Sequence, residues 1–121
     1  MAYVDGFVVP VPKKKLKAYL KMAKWGKRVW MKAGALDYKE CEGDDLKVKF
    51  GMSFVKLAKL KKGETVFFSF IVYKSRAHRD QVNKKVMKEM MASGMPTDMP
   101  FDVKRMAYGG FKGLVDAGRK R

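Results

Sequence analysis

Four segments of the chain carry the apolar pattern of β-strands. Residues 3–9 are mostly β-branched or aromatic around Asp5, and Pro10 and Pro12 are expected to end this strand because proline cannot donate to a ladder. Residues 64–73 form the strongest predicted strand, with β-branched or aromatic side chains at nearly every position. Weaker patterns predict strands over residues 36–42 and 104–115, the latter containing a Gly-Gly pair suited to a bulge or a close approach.

Two other segments repeat apolar residues at helical spacing. Residues 13–33 predict a first helix that stops at Gly34, and residues 75–93 predict a second helix that Ser75 caps and Gly94 ends. The second helix has an apolar row at Val82, Val86 and Met90. For residues 46–62 the pattern does not decide the structure: it fits a short helix near residues 54–61, and it alternates like an edge strand at residues 47–50.

The resulting order, β-α-β-β-α-β, predicts an α+β ferredoxin-like fold with two helices on one face of an antiparallel sheet. It spans a single domain, residues 1–118, followed by a basic tail at residues 119–121. Both faces of the strand at residues 64–73 are apolar, while the helices cover one face of the sheet. A second copy is the simplest cover for the other face, which predicts a homodimer, the dimeric α/β barrel.

Composition narrows the classes of function. The chain has 121 residues and a formal charge of +16, with one cysteine and one histidine. These numbers exclude an intrachain disulfide and favour neither a metal centre nor a cofactor held by soft ligands. Its apolar stretches are far shorter than the roughly 20 residues of a membrane helix, and the N-terminus lacks the order of a secretory signal. A cytoplasmic protein that does not contact membranes is therefore expected.

A few polar residues are candidates for chemistry. Asp5, inside an apolar strand, is a candidate acid or base, or else one half of an ion pair with a group such as Arg105. His78 is a second candidate for proton transfer, or else an exposed residue in the first turn of a helix. Arg105 and Tyr108 are candidates for binding a carboxylate or phosphate, or else for fixing their loop. Cys41 is expected to be a buried strand thiol rather than a nucleophile.

The first helix also presents a row of cations on its polar side. Lys17, Lys21, Lys24 and Arg28 follow one another at spacings of four, three and four residues. No acidic residue occurs between residues 13 and 32. Such a row binds polyanions by counterion release, or else is a solvated surface. Aromatic residues interleave poorly with it, so stacking on nucleic-acid bases is not indicated.

Several stretches resemble a known family, the YbaA-like bacterial proteins of unknown function. They are Val4-Asp5-Gly6-Phe7-Val8-Val9, Gly34-Ala35-Leu36 with Glu40-Cys41, residues 73–80, and the segment Met99-Pro100-Phe101-Asp102-Val103-Lys104-Arg105-Met106-Ala107-Tyr108-Gly109-Gly110-Phe111. The resemblance covers nearly the whole chain. It implies a dimeric α/β barrel and no established reaction.

Two functions follow as hypotheses from these observations. The first is the binding, or the enzymatic transformation, of a small anionic or apolar molecule in the groove between sheet and helices. The alternative is a non-catalytic protein that binds polyanions such as nucleic acid, or another partner, through its lysine-rich surface.

Overall fold

The computed structural model describes residues 1–94 and 98–118, which contain one four-stranded antiparallel sheet with the two long helices on one face. The strands are β1 (Tyr3–Pro12), β2 (Asp37–Glu42), β3 (Glu64–Tyr73) and β4 (Ala107–Lys112), and the helices are α1 (Leu16–Ala33), α2 (Phe54–Leu57) and α3 (Arg76–Ser93). Their spatial order, β2-β3-β1-β4, is that of the ferredoxin-like fold. The predicted fold class is therefore confirmed. The tail at residues 119–121 lies outside the described residues.

Strand β1 continues through both prolines that were expected to end it. Pro10 pairs with Val66 and Pro12 with Glu64 on β3. On the other side, β4 pairs only with the first part of β1, from Tyr3 to Val8. The second half of β1 is therefore a sheet edge, where a missing N–H breaks no ladder.

Both long helices begin and end near their predicted positions. A 3₁₀ turn at Lys13–Lys15 leads into α1, and Gly34 closes it with φ 117°, a left-handed conformation that favours glycine. Ser75 caps α3, since its Oγ accepts a 3.1 Å hydrogen bond from the backbone N–H of His78.

The fourth strand is shorter than predicted at both ends. Asp102 and the 3₁₀ turn Val103–Arg105 precede it, because the Asp102 carboxylate caps that turn by accepting from the Lys104 N–H at 3.0 Å. The pair Gly109-Gly110 allows a close approach, as predicted, and the group that approaches it is the ring of Tyr3. A Cβ at Gly110 would lie 2.8 Å from Cε2 of that ring. In the segment left open, the short helix α2 forms and residues 47–50 form no strand.

The two faces of the sheet differ in what covers them. On the inner face, Val9, Phe67 and Ile71 are buried against α1 and α3. On the outer face, Phe68 keeps 47% of its surface exposed and Phe111 keeps 64%, while α2 covers only the neighbourhood of Phe68 through Phe54. An apolar outer surface therefore remains open in the single chain.

Cys41 lies on this outer face, opposite Phe68 on the neighbouring strand. Its thiol is exposed, so the expectation of a buried thiol is wrong. The reason is its position on β2, an edge strand, with its side chain on the same outer face as Phe68. Among the described helices, none has the length and apolar character needed to cross a membrane.

Candidate functional site

A cavity of about 220 Å³ lies between the inner face of the sheet and α1. Its walls come from the sheet, from α1 and α3, and from residues 99–106. The side chains that line it are mostly aromatic, aliphatic or methionine, and include Phe7, Tyr19, Met22, Ala23, Trp25, Trp30, Tyr38, Ile71, Met90, Met99, Phe101 and Met106. Both tryptophans of the chain are among them. Their composition is typical of a small-molecule site, in which apolar walls surround a few polar groups.

The main polar feature of the cavity wall is the carboxylate of Glu40. Its Oε1 accepts hydrogen bonds from the hydroxyls of Tyr19, at 2.7 Å, and of Ser69, and its Oε2 accepts from Tyr38 at 3.0 Å. Helix α1 supplies one donor and strands β2 and β3 supply the others. Glu40 therefore ties the helix layer to the sheet at the cavity.

The two phenols that donate to Glu40 stay protonated. Burial raises the pKa of Tyr19 and of Tyr38 well above the usual 10, and the neighbouring Glu40 carboxylate raises both further. They act as neutral hydrogen-bond donors throughout the physiological range.

Sequence patterns did not identify this cluster, although they contain two signals of it. Gly26 interrupts α1, where glycine costs about 1 kcal/mol relative to alanine. A Cβ at Gly26 would stand 2.7 Å from the Tyr38 hydroxyl oxygen, so the glycine makes room for the phenol that donates to Glu40. Ser69 is the other signal, a polar residue at the centre of an otherwise apolar stretch of β3 that is buried at 4% exposure.

Asp5 lies outside the cavity, in a second polar cluster between β1 and α3. Its Oδ1 accepts from Nη1 of Arg79 at 2.9 Å, so the partner is Arg79 and not Arg105. Arg79 also donates from Nε to Asp80, at 2.8 Å, and lies 5.0 Å from the ring centre of Tyr3. This cluster joins the start of α3 to the sheet.

Burial raises the pKa of the Asp5 carboxyl above its usual 3.8, and Arg79 opposes that shift. Because the folded pKa is the higher one, the ionisation of Asp5 lowers stability as the pH rises from 3.8 through the raised value. The buried Tyr73 hydroxyl nearby makes no hydrogen bond of ordinary geometry within the described residues. Burial and the Asp5 carboxylate raise its pKa as well.

His78 lies in the first turn of α3, as the sequence predicts. Its Nδ1 accepts a 2.9 Å hydrogen bond from the backbone N–H of Lys74, and its ring meets that of Tyr73 edge-on at 6.0 Å. These contacts fasten the start of the helix. His78 does not line the cavity around Glu40.

Arg105 binds a carboxylate of the protein itself. Its Nη1 and Nη2 donate to the two oxygens of Glu64 at 2.6 and 2.9 Å, and Nη2 also donates to the Lys59 carbonyl at 2.7 Å. The guanidinium holds the pKa of the Glu64 carboxyl below its usual 4.5. The pair therefore stabilises the fold above pH 4.5, and this contribution is lost as the pH falls through the lowered pKa.

Tyr108, the other candidate for anion binding, keeps 73% of its surface exposed and stacks on Phe7 at 6.0 Å. The structure thus does not bring Arg105, Tyr108 and Asp5 together at one place. In the described part of the chain, no group of three or more His, Cys, Asp or Glu side chains is placed to hold a metal ion.

The cationic row of α1 faces solvent along its whole length. Lys17, Lys21, Lys24 and Arg28 are all exposed. The last three line a surface groove next to the end of α3, where Asp98 is the acidic residue. No ion pair within residues 1–94 and 98–118 includes any of these cations.

Comparisons with known proteins place the chain among relatives. It is 40% identical over 116 residues to the uncharacterized protein YbaA of Escherichia coli strain K12, and equally to that of Shigella flexneri, covering 96% of this chain and 99% of the relative. A de novo designed protein, Foldit4, superposes with a TM-score of 0.46 at 7% identity, over 93% of this chain and 99% of the design. Residues 2–103 match the family described as "Protein of unknown function (DUF1428)". The resemblance to the YbaA-like proteins is confirmed, and the chain belongs to the DUF1428 family.

Proposed function

We propose that this protein binds a small apolar molecule in the cavity between its sheet and α1. The observation that carries the proposal is a cavity of about 220 Å³ with almost entirely apolar walls and one hydrogen-bonded carboxylate, that of Glu40. Apolar pockets with a few convergent polar groups are the usual form of ligand sites. The same features favour an apolar ligand over an anionic one, because a carboxylate in the wall repels anions.

Its volume sets the size of the ligand. An engineered cavity of about 150 Å³ holds benzene, so one of about 220 Å³ suits roughly nine non-hydrogen atoms, such as a ring with a short side chain.

Lys39 also borders the cavity but brings no positive charge to it. Its Nζ pairs with Asp37 at 2.8 Å and lies over Phe70, on the outer face of the sheet.

The binding of 2-phenylethanol, a neutral probe of this size, tests the proposal. Trp25 and Trp30 both line the cavity and are the only tryptophans of the chain, so their fluorescence reports its occupancy. We expect a saturable change in that fluorescence. Ala23→Met, which fills part of the cavity, should weaken binding about tenfold, while Ala18→Met on the exposed side of the same helix should leave it unchanged. A signal that does not saturate, or that ignores Ala23→Met, would contradict the proposal.

We also propose that the protein is a homodimer joined through the outer face of the sheet. The support is the exposure of Phe68 and Phe111 on the outer face of the sheet, which α2 covers only in the neighbourhood of Phe68. A second copy of the sheet offers the same apolar surface in return, as a two-fold interface requires. The free, exposed thiol of Cys41 suits a reducing compartment, and the location we propose is the cytoplasm.

The second candidate function is the binding of a polyanion along α1. The observation in its favour is the exposed row from Lys17 to Arg28, with no acidic residue between residues 13 and 32. Because each cation that contacts the polymer releases a counterion, binding should weaken steeply with salt.

Retention on heparin tests this candidate. We expect the triple variant Lys17→Gln, Lys21→Gln, Lys24→Gln to elute at clearly lower salt than a control with three other exposed lysines changed, Lys84→Gln, Lys85→Gln and Lys88→Gln on α3. Equal elution of the two variants would attribute retention to net charge alone and contradict a site on α1.

A further inference from the structure

Within the described residues, the carboxylate of Glu40 has no cationic partner. The ion pairs within residues 1–94 and 98–118 join Lys39 to Asp37, Arg79 to Asp5 and Asp80, and Arg105 to Glu64. None of them includes Glu40, although this residue is partly buried and borders an apolar cavity. A carboxylate in such surroundings is costly unless a cation or several donors compensate it.

Hydrogen-bond donors satisfy the carboxylate of Glu40 only in part. A carboxylate has about four acceptor positions, and two are filled on Oε1, by Tyr19 and Ser69, but only one on Oε2, by Tyr38. One acceptor position of Oε2 therefore remains unfilled. The three groups that do donate to the carboxylate are neutral hydroxyls, so they do not neutralise its negative charge.

The remaining walls are suited to a cation. Six aromatic side chains line the cavity: Phe7, Tyr19, Trp25, Trp30, Tyr38 and Phe101. The face of an aromatic ring attracts a positive charge, most strongly in tryptophan, and the attraction is larger where water is excluded. An ammonium group with an apolar body thus matches both the carboxylate and the rings.

We infer that the cavity selects a protonated organic amine with a single ring or short apolar chain, whose N–H donates to Oε2 of Glu40. This inference rests on the proposed function, because it specifies the chemical class of ligand for the same cavity. Glu40 is the binding residue, and Tyr19, Tyr38 and Ser69 are positioning residues that hold its carboxylate toward the cavity. Sequence patterns alone did not single out any of these four residues.

Three probes of similar shape test the inference by tryptophan fluorescence: 2-phenylethylamine, which is cationic at neutral pH, neutral 2-phenylethanol and anionic phenylacetate. We expect the amine to bind about tenfold or more tightly than the alcohol, and phenylacetate most weakly. In Glu40→Gln the preference for the amine should disappear while the alcohol still binds. Glu42→Gln serves as the matched control. The Glu42 carboxylate lies on the same strand as Glu40 and accepts a 2.9 Å hydrogen bond from the Thr65 hydroxyl, but it does not line the cavity.

Tyr38→Phe provides a second, independent variant if Glu40→Gln does not fold. It removes the 3.0 Å donor to Oε2 and keeps the aromatic ring, so a second acceptor position of Oε2 becomes free and the preference for the amine over the alcohol should increase. Binding of the alcohol as tightly as the amine, or an amine affinity that neither variant changes, would overturn the inference and leave the cavity as a ligand site. Saturable binding of none of the three probes would overturn the proposed function itself.

Discussion

Replacing Phe68 by glutamate is expected to convert a dimer of about 28 kDa into a monomer of 13.8 kDa. Phe68 keeps 47% of its surface exposed in the single chain and lies on the outer face of the central strand β3. In a two-fold interface each copy loses its apolar contact and gains a carboxylate without a partner. Burial of a large apolar side chain is worth about 1.5–3 kcal/mol, so two such losses raise the dissociation constant by about 10²- to 10⁴-fold.

Sedimentation at micromolar concentration measures this change. Met87→Glu is the matched control, since Met87 keeps 50% of its surface exposed but lies on α3, on the opposite side of the molecule from the outer face. We expect this control to stay dimeric and to keep its melting temperature. A wild-type protein that sediments as a monomer, or a Phe68→Glu variant that stays a dimer, would contradict assembly through the sheet.

Truncation of Tyr19 to alanine should be the most destabilising change at the cavity. The side chain is 2% exposed, its ring centre lies 4.5 Å from that of Phe67 and 5.8 Å from that of Phe101, and its hydroxyl donates to Glu40. Loss of a buried aromatic side chain costs about 3–5 kcal/mol, which lowers the melting temperature by about 10–25 °C in a domain of this size. Thermal unfolding followed by circular dichroism measures it.

Tyr19→Phe separates the hydroxyl from the ring. It keeps the packing and removes one hydrogen bond to a carboxylate, for an expected loss of about 1–2 kcal/mol. Tyr108→Phe, at a tyrosine that is 73% exposed, should change the free energy of unfolding by less than about 0.5 kcal/mol. Equal melting temperatures for these two variants would mean that the Glu40 cluster contributes nothing to stability.

The pattern of apolar residues was sufficient to predict the helices and the main strand of the fold. Helix α3 buries Val82 and Val86, as their spacing indicates, and β3 has apolar side chains on both of its faces. The pattern predicted the fourth strand less well. Side-chain bonds from Asp102 and Arg105 hold the preceding residues in a turn, and periodicity does not register such bonds.

The candidate site depended on pairings that one sequence does not encode locally. Asp5 was singled out as a carboxyl inside an apolar strand, but its partner Arg79 is 74 positions away, and nothing in the pattern favoured Arg79 over Arg105. Glu40 lies in the weakly patterned segment of β2 among other charged residues, and nothing in that pattern marked it as a site residue. Only the fold brings Tyr19 and Ser69, from two other elements, to the same carboxylate.

A crystal structure of the protein with 2-phenylethylamine tests the central claim most directly. We expect density for the ring between Trp30 and Met22, in the cavity under α1, with the nitrogen about 3 Å from Oε2 of Glu40. We also expect Tyr19, Tyr38 and Ser69 to keep their hydrogen bonds to the carboxylate. An empty cavity at a probe concentration that saturates the fluorescence change, or a probe bound elsewhere on the surface, would contradict it.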